Sequence, residues 1–223
     1  MNGIRKGERW EEPVPEGTVP TEVIRGDDGA LARAVENWRG SDPLLQWEPT
    51  PTADLARALG IRAGQAPQGL ALACDLLRAS GAPAPAVNAL TLGPFPPGRL
   101  AKSTDTIVEI DGRTVFHGPA TTVVVASGEF LAGNDVFPTG HPGDGRAEVM
   151  VLGLAPGDRA AFRQRLTNAN HIPHPDVTVA SGTSIDITMD RAEKLVGDGG
   201  AWTVPDVRAV QIRVESGAFR LLV

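Results

Sequence analysis

The sequence predicts an α+β fold: a reduced N-terminal α/β unit, residues 21–90, followed by a C-terminal β-sandwich, residues 104–223. Three observations carry this. Up to residue 90, short β-branched runs alternate with stretches whose apolar residues recur at helical spacing. Beyond residue 104 the apolar period becomes two, and strand follows strand with short turns. Between them Pro94, Pro96 and Pro97 crowd a glycine-bearing stretch that reads as a linker over residues 91–103.

Composition narrows the field. The 223 residues suffice to bury a core, and 41% hydrophobic with 22% charged residues describe a globular chain. A net charge of −6 with no cluster of Lys and Arg argues against nucleic acid or a strongly anionic membrane as the main partner, leaving at most peripheral membrane contact. Cys74 stands alone, so no intramolecular disulfide forms. Neither a signal-type apolar region nor a long apolar run opens the sequence, which makes a cytoplasmic setting the expectation.

Taken in order, residues 1–20 are charged and proline-bearing and read as a flexible arm. Thr21–Arg25 is a short strand that ends at Gly26-Asp27-Asp28-Gly29. An Asp there caps a helix with Leu31, Val35 and Trp38 on one face. Leu44–Trp47 is a second strand, and Thr52–Gly60 a helix with Leu55 and Leu59 inward and Gly60 as its stop. A third helix is expected from Pro67 to Gly81 on the stripe Leu70, Ala73, Cys74 and Leu77.

In the second half, Asp111-Gly112 between two alternating runs is a hairpin signal, because both residues tolerate the positive φ of a tight turn. Thr121–Ser127 suits a strand buried on both faces. A glycine corner at Gly128–Gly133, a polar loop with Pro138, His141 and Pro142, and the turn Gly143–Arg146 lead to the strand Ala147–Leu152. Asp158–Ala169 is a helix with Phe162 and Leu166 inward. The remaining strands are expected at Val177–Val179, Ser184–Thr188, Ala201–Val204, Val207–Val214 and Ala218–Leu222.

The run Val123–Asn134, then Pro138 and Gly143-Asp144-Gly145-Arg146-Ala147-Glu148-Val149, resembles the β-domain signature of diacylglycerol kinase and sphingosine kinase-like lipid kinases. His174-Pro175 and the end Gly217–Val223 fit the same pattern. The resemblance covers Asp105 to Val223 well and the earlier part in fragments. It implies a sandwich of the lipid-kinase/NAD-kinase-like type, with Mg²⁺ and, for an active enzyme, ATP as cofactors.

Site residues follow from that resemblance, each with a plain alternative beside it. Gly26, Asp28 and Gly29 match the family's Gly-Gly-Asp-Gly-Thr phosphate turn, whereas Asp27 and Ala30 depart from it; the same residues also suit an ordinary capped turn. Asp54, Ala56 and Arg57 match Gly-Thr-x-Asn-Asp-Phe-Ala-Arg, but Thr50-Pro51 replaces Gly-Thr, and proline offers no N–H to a phosphate. Asp54 and Arg57 would otherwise be an exposed pair one turn apart. The resemblance implies Mg²⁺ at the Asp144 carboxylate and the Arg146 carbonyl; a bare Asp-Gly turn needs none. His171 and His174 have close ligand spacing, yet the intervening Pro173 keeps them off one helix face and no cysteine lies nearby. The family's acidic base follows an Asp-Gly pair. Here Asp198-Gly199 remains and Gly200 replaces the glutamate, so Asp198 is either a substitute base or a turn residue.

Three motifs depart from the family in three different ways. The expected function is therefore a degenerate, non-catalytic relative that binds a lipid or other apolar ligand; the alternative is an active ATP-dependent lipid kinase acting on a lipid hydroxyl. The resemblance also implies a longer β-rich stretch where this sequence runs from Ala82 to Lys102, with only Ala86–Leu90 hinting at it; that trimmed middle segment leaves room for a homodimer in which a second subunit supplies it.

Overall fold

A computed structural model describes residues 11–223. The first ten residues of the expected arm lie outside the described residues. Its next stretch is strand β1, Glu11–Pro13, which pairs antiparallel with a later strand rather than hanging free.

The elements then run β2 (Glu22–Gly26), α1 (Asp28–Asn37), β3 (Leu44–Pro49), α2 (Asp54–Ala58), β4 (Leu70–Ala79) and β5 (Ala89–Leu92). They continue with β6 (Thr104–Ile110), β7 (Arg113–Ala120), β8 (Thr122–Ala126), the small hairpin β9 (Phe130–Leu131) and β10 (Asn134–Asp135), and β11 (Ala147–Leu152). Last come α3 (Arg159–Leu166), β12 (Val177–Gly182), β13 (Ser184–Gly197), a single 3₁₀ turn at Asp198–Gly200, and β14 (Trp202–Leu222).

Among the described residues, twelve strands form one connected sheet along the path β1-β4-β14-β13-β5-β8-β11-β12, with β3 and then β2 branching from β14, and β6 and then β7 from β13. β2 and β3 run parallel, as do β3 and the end of β14. β14 is the connector: its 21 residues pair antiparallel with β13 along one stretch and with β4 along another.

Three large apolar clusters hold most of the buried side chains, with a small fourth at Leu44, Ala71 and Leu222. One lies around Leu31, Leu45, Leu55, Leu76 and Phe219, beneath α1 and α2. A second fills the sandwich around Leu90, Val108, Ile185 and Ile212. A third joins Phe137, Phe162 and Leu166 to the sheet. β8 and β11 divide their side chains between the last two. Val123, Val125, Val149 and Val151 face the sandwich, while Val124, Ala126, Met150 and Leu152 face the α3 side. Alternation across the pleat therefore puts an apolar neighbour on both faces, and every residue of β8 is buried.

Several expectations are corrected here. The third helix is strand β4. A run apolar on both faces satisfies either period, and β4 settles the choice by pairing with β14, sending Leu72, Cys74 and Leu76 to one core and Leu77 and Ala79 to another. The stretch from Ala201 to Leu222 is one strand bent by a register shift between Glu215 and Phe219, not three strands. β5 brings Leu92 into the sheet between β13 and β8, so the irregular connection begins at Gly93. Trp38 caps the end of α1 half-exposed, with its indole N–H donating to Glu22 at 2.7 Å. The Asp111-Gly112 hairpin is present, with φ of 50° and 77° at the two turn residues.

Candidate functional site: a cluster of buried carboxylates

The expected phosphate turn, the start of α2 and the 3₁₀ turn converge. Asp27 is the N-cap of α1, accepting from the Ala30 N–H at 2.9 Å. Asp28 points elsewhere: its carboxylate accepts from the N–H groups of Asp54 at 3.0 Å and Leu55 at 3.3 Å. Ala53, the local N-cap of α2, has no side-chain acceptor, so Asp28 caps that helix from another element. Both helix N-termini thus already hold a carboxylate.

The glycines of this turn have steric reasons to be there. A Cβ on Gly29 would lie 2.3 Å from the Ala201 Cβ, so α1 approaches the 3₁₀ turn as closely as it does only because position 29 lacks a side chain. Gly26 holds φ at 138°, and its carbonyl accepts from the Trp47 indole at 3.1 Å and the Thr50 N–H at 3.0 Å.

Asp54 and Arg57 do not act as an exposed pair. Asp54 is buried and accepts from the Gly133 N–H at 3.0 Å, while Arg57 donates to the Gly133 carbonyl at 2.7 Å and stacks over the Phe130 ring at 5.3 Å. Together they grip the tip of the β9–β10 hairpin through the two successive peptide groups that flank the Gly133 Cα.

Asp198 is the most constrained residue of the group. Its φ of 44° turns the carboxylate inward, where it accepts from the N–H groups of Val87, Asn88 and Ala89 at 2.9, 2.9 and 3.0 Å. The flanking glycines do not leave it loose, because these three amides fix the carboxylate. Asn88 carries the link onward by donating to the Phe130 carbonyl at 2.9 Å. Nothing in the stretch Ala86–Leu90 names Asp198 as its partner.

Electrostatically the cluster resists ionisation. Burial pushes the Asp28 carboxyl up to about 8, and the charge of Asp198 adds to the effect while the Asp54 and Leu55 amides oppose it. Burial raises Asp198 to about 6 against its three amides, and raises Asp54 as well. Carboxyls held near neutrality can exchange protons, which is the chemistry the arrangement offers.

Asp144 lies apart from this group. Its carboxylate accepts from the Arg146 N–H at 2.9 Å, an Asx turn closed on itself, and the Arg146 guanidinium turns to Ser181. Beneath the turn sits Asp75, missed in the sequence although a lone acid inside the run Leu72–Leu77 could have marked it. Asp75 is fully buried, accepts from Gly145 at 2.7 Å and Gly217 at 2.9 Å, and is pushed up by burial to about 6. Among the described residues no group of three or more His, Cys, Asp or Glu is placed to hold a metal ion. The donors at Asp144 fit a self-closed turn rather than a cation cage. His171 is buried with Nε2 2.9 Å from the Val136 carbonyl, and His174 accepts the Asp176 N–H through Nδ1. No helix among the described residues is long and apolar enough to cross a membrane.

Comparison with known proteins places this geometry. The profile of the YegS C-terminal NAD kinase beta sandwich-like domain matches residues 100–223. Two structures of a diacylglycerol kinase from Bacillus anthracis str. Sterne superpose with TM-scores of 0.71 and 0.67 at 19% and 20% identity, each covering 90% of this chain and 75% of the other. An NAD kinase from Archaeoglobus fulgidus, solved with ATP, superposes at 0.53 with 16% identity over 90% of this chain and 76% of its own. At these identities the superpositions establish a shared fold. Among curated proteins no match is found. The likeness to diacylglycerol kinase-like proteins read from residues 121–152 agrees with the profile, and the chain belongs to the family of the YegS C-terminal NAD kinase beta sandwich-like domain.

Proposed function

We propose that the protein is a non-catalytic relative of the diacylglycerol kinase-like lipid kinases and binds a lipid or other apolar small molecule. One observation carries this reading: the helix N-termini of the expected nucleotide turns are capped by the chain's own Asp27 and Asp28. An entering phosphate would find N–H donors of both turns already engaged by Asp27 and Asp28, so the attraction that the ATP-binding reading needs is missing. Pro51 and Gly200 support the same reading, one by lacking an N–H and the other by lacking an acidic side chain.

The alternative, an active ATP-dependent lipid kinase, draws on Asp198, whose carboxyl near 6 has the basicity of a general base that works at neutral pH. In that reading Asp198 takes the proton of a lipid hydroxyl, with Gly26, Asp28 and Gly29 toward ATP and Mg²⁺ at Asp144 and Arg146. Its three amides and its burial argue against it, since a base must reach its proton.

The test is thermal unfolding with and without millimolar ATP and Mg²⁺, together with transfer of labelled phosphate to diacylglycerol or a long-chain base. The proposal expects no thermal shift, no labelled lipid, and copurifying lipid in the native mass spectrum. A shift of several degrees with labelled product would establish the kinase instead. The same spectrum reports whether the protein is a homodimer.

A further inference from the structure

Beside the 3₁₀ turn lies a cleft of about 420 Å³, lined mainly by Thr91, Phe95, Leu131, Lys194, Val196 and Gly199. Its walls come from β5, β13, the hairpin tip and the segment after Gly93, so it opens next to the carboxylate cluster without including it. The volume is at the small end of what ligand sites occupy, enough for one apolar chain rather than two. Phe95, Leu131 and Val196 supply apolar wall.

The charges at its rim are unequal. Glu193 is paired with Arg191, which donates to it through both Nε and a terminal nitrogen. Lys194 is exposed, and among the described residues no ion pair or hydrogen bond engages its ammonium group. The nearby Asp198 carboxylate is turned away into its three amides. In a protein of net charge −6, the cleft therefore presents one unopposed cation above an apolar wall.

From this juxtaposition we infer that the cleft binds a single-tailed amphiphile with an anionic head group, its tail along Phe95, Leu131 and Val196 and its head at Lys194. The inference rests on the lipid-binding reading above and narrows it: a neutral glyceride, which offers no charge to Lys194, is the poorer ligand. A carboxylate and a phosphate monoester share the chemistry, and the probes separate them.

The experiment titrates the full chain calorimetrically with dodecanoate, with dodecanoyl lysophosphatidate and with monododecanoylglycerol, each below its micelle concentration. The wild type is expected to bind at least one anionic probe about fivefold more tightly than the neutral one, the worth of a partly desolvated ion pair. Which anion binds more tightly names the head group. Lys194→Glu, an exposed change whose fold is checked by circular dichroism, should abolish the preference and leave the neutral probe unaffected. Thr91→Phe, which narrows the cleft, should weaken every probe. Equal affinity for charged and neutral probes, or a preference that survives Lys194→Glu, overturns the charge selection while leaving lipid binding in place. Binding untouched by Thr91→Phe removes the cleft as the site. Binding of none of the three sinks the lipid-binding reading itself.

Discussion

Two stretches of this chain carry the same local text, Gly143-Asp144-Gly145 and Gly197-Asp198-Gly199, and the fold uses them in opposite ways. Asp144 closes its own turn at the surface. Asp198 is fixed by three amides of a segment 109 to 111 residues earlier and is held near neutrality by burial. The dipeptide sets the backbone bend in both places. What lies across from the carboxylate decides whether it is a turn residue or the keystone of a buried junction.

The sharpest way to break this contrast is to truncate both. Asp198→Ala strands three buried N–H groups, each worth about 1–3 kcal/mol when left without a partner, so the melting temperature should fall by about 10 °C or more. A fall of less than about 3 °C would mean that water replaces the carboxylate and that the junction is not closed. Gly29→Ala tests the same junction from the α1 side. Its new methyl meets Ala201, and overpacking of that kind costs about 1–3 kcal/mol, read as a loss of several degrees that the double change with Ala201→Gly should partly restore.

A smaller effect separates the two turns by pH. A carboxyl whose folded pKa lies above its unfolded value of about 4 binds protons more tightly when folded, so it favours the folded state at low pH. That advantage is lost as pH rises through about 6 for Asp198 and Asp75 and through about 8 for Asp28. Asp28→Asn should therefore melt progressively higher relative to the wild type from about pH 4 up to about pH 8, and the gap should level off above that. A gap independent of pH would show that Asp28 ionises normally. The smallest effect is expected at the other turn: Asp144→Ala should change stability by under about 1 kcal/mol, with or without millimolar Mg²⁺. A Mg²⁺-dependent rise in melting temperature that this substitution abolishes would restore the cation reading.

The same contrast explains what was legible in the sequence. β8 and β11 could be read because their β-branched residues satisfy both faces of a central strand, and the Asp27 cap because donor and acceptor lie three residues apart. β4 was misread because a strand between two cores has no polar face to show its period. The anchoring of Asp198, the hold of Asp54 and Arg57 on Gly133, and the capping of α2 by Asp28 are all long-range. No local window contains both partners, so the residues could be named from motif resemblance but their roles could not. Asp75 is the converse case, a visible anomaly whose partners Gly145 and Gly217 lie in distant turns.

The length of β14 has a consequence for how the molecule assembles. Because β14 zips against β3 and β4 at one end and β13 at the other, β3 and β4 stay without that neighbour until residues 202–222 have been made. Folding of this chain is accordingly a late, concerted event rather than a vectorial one, and heating should dissolve both halves in a single cooperative step.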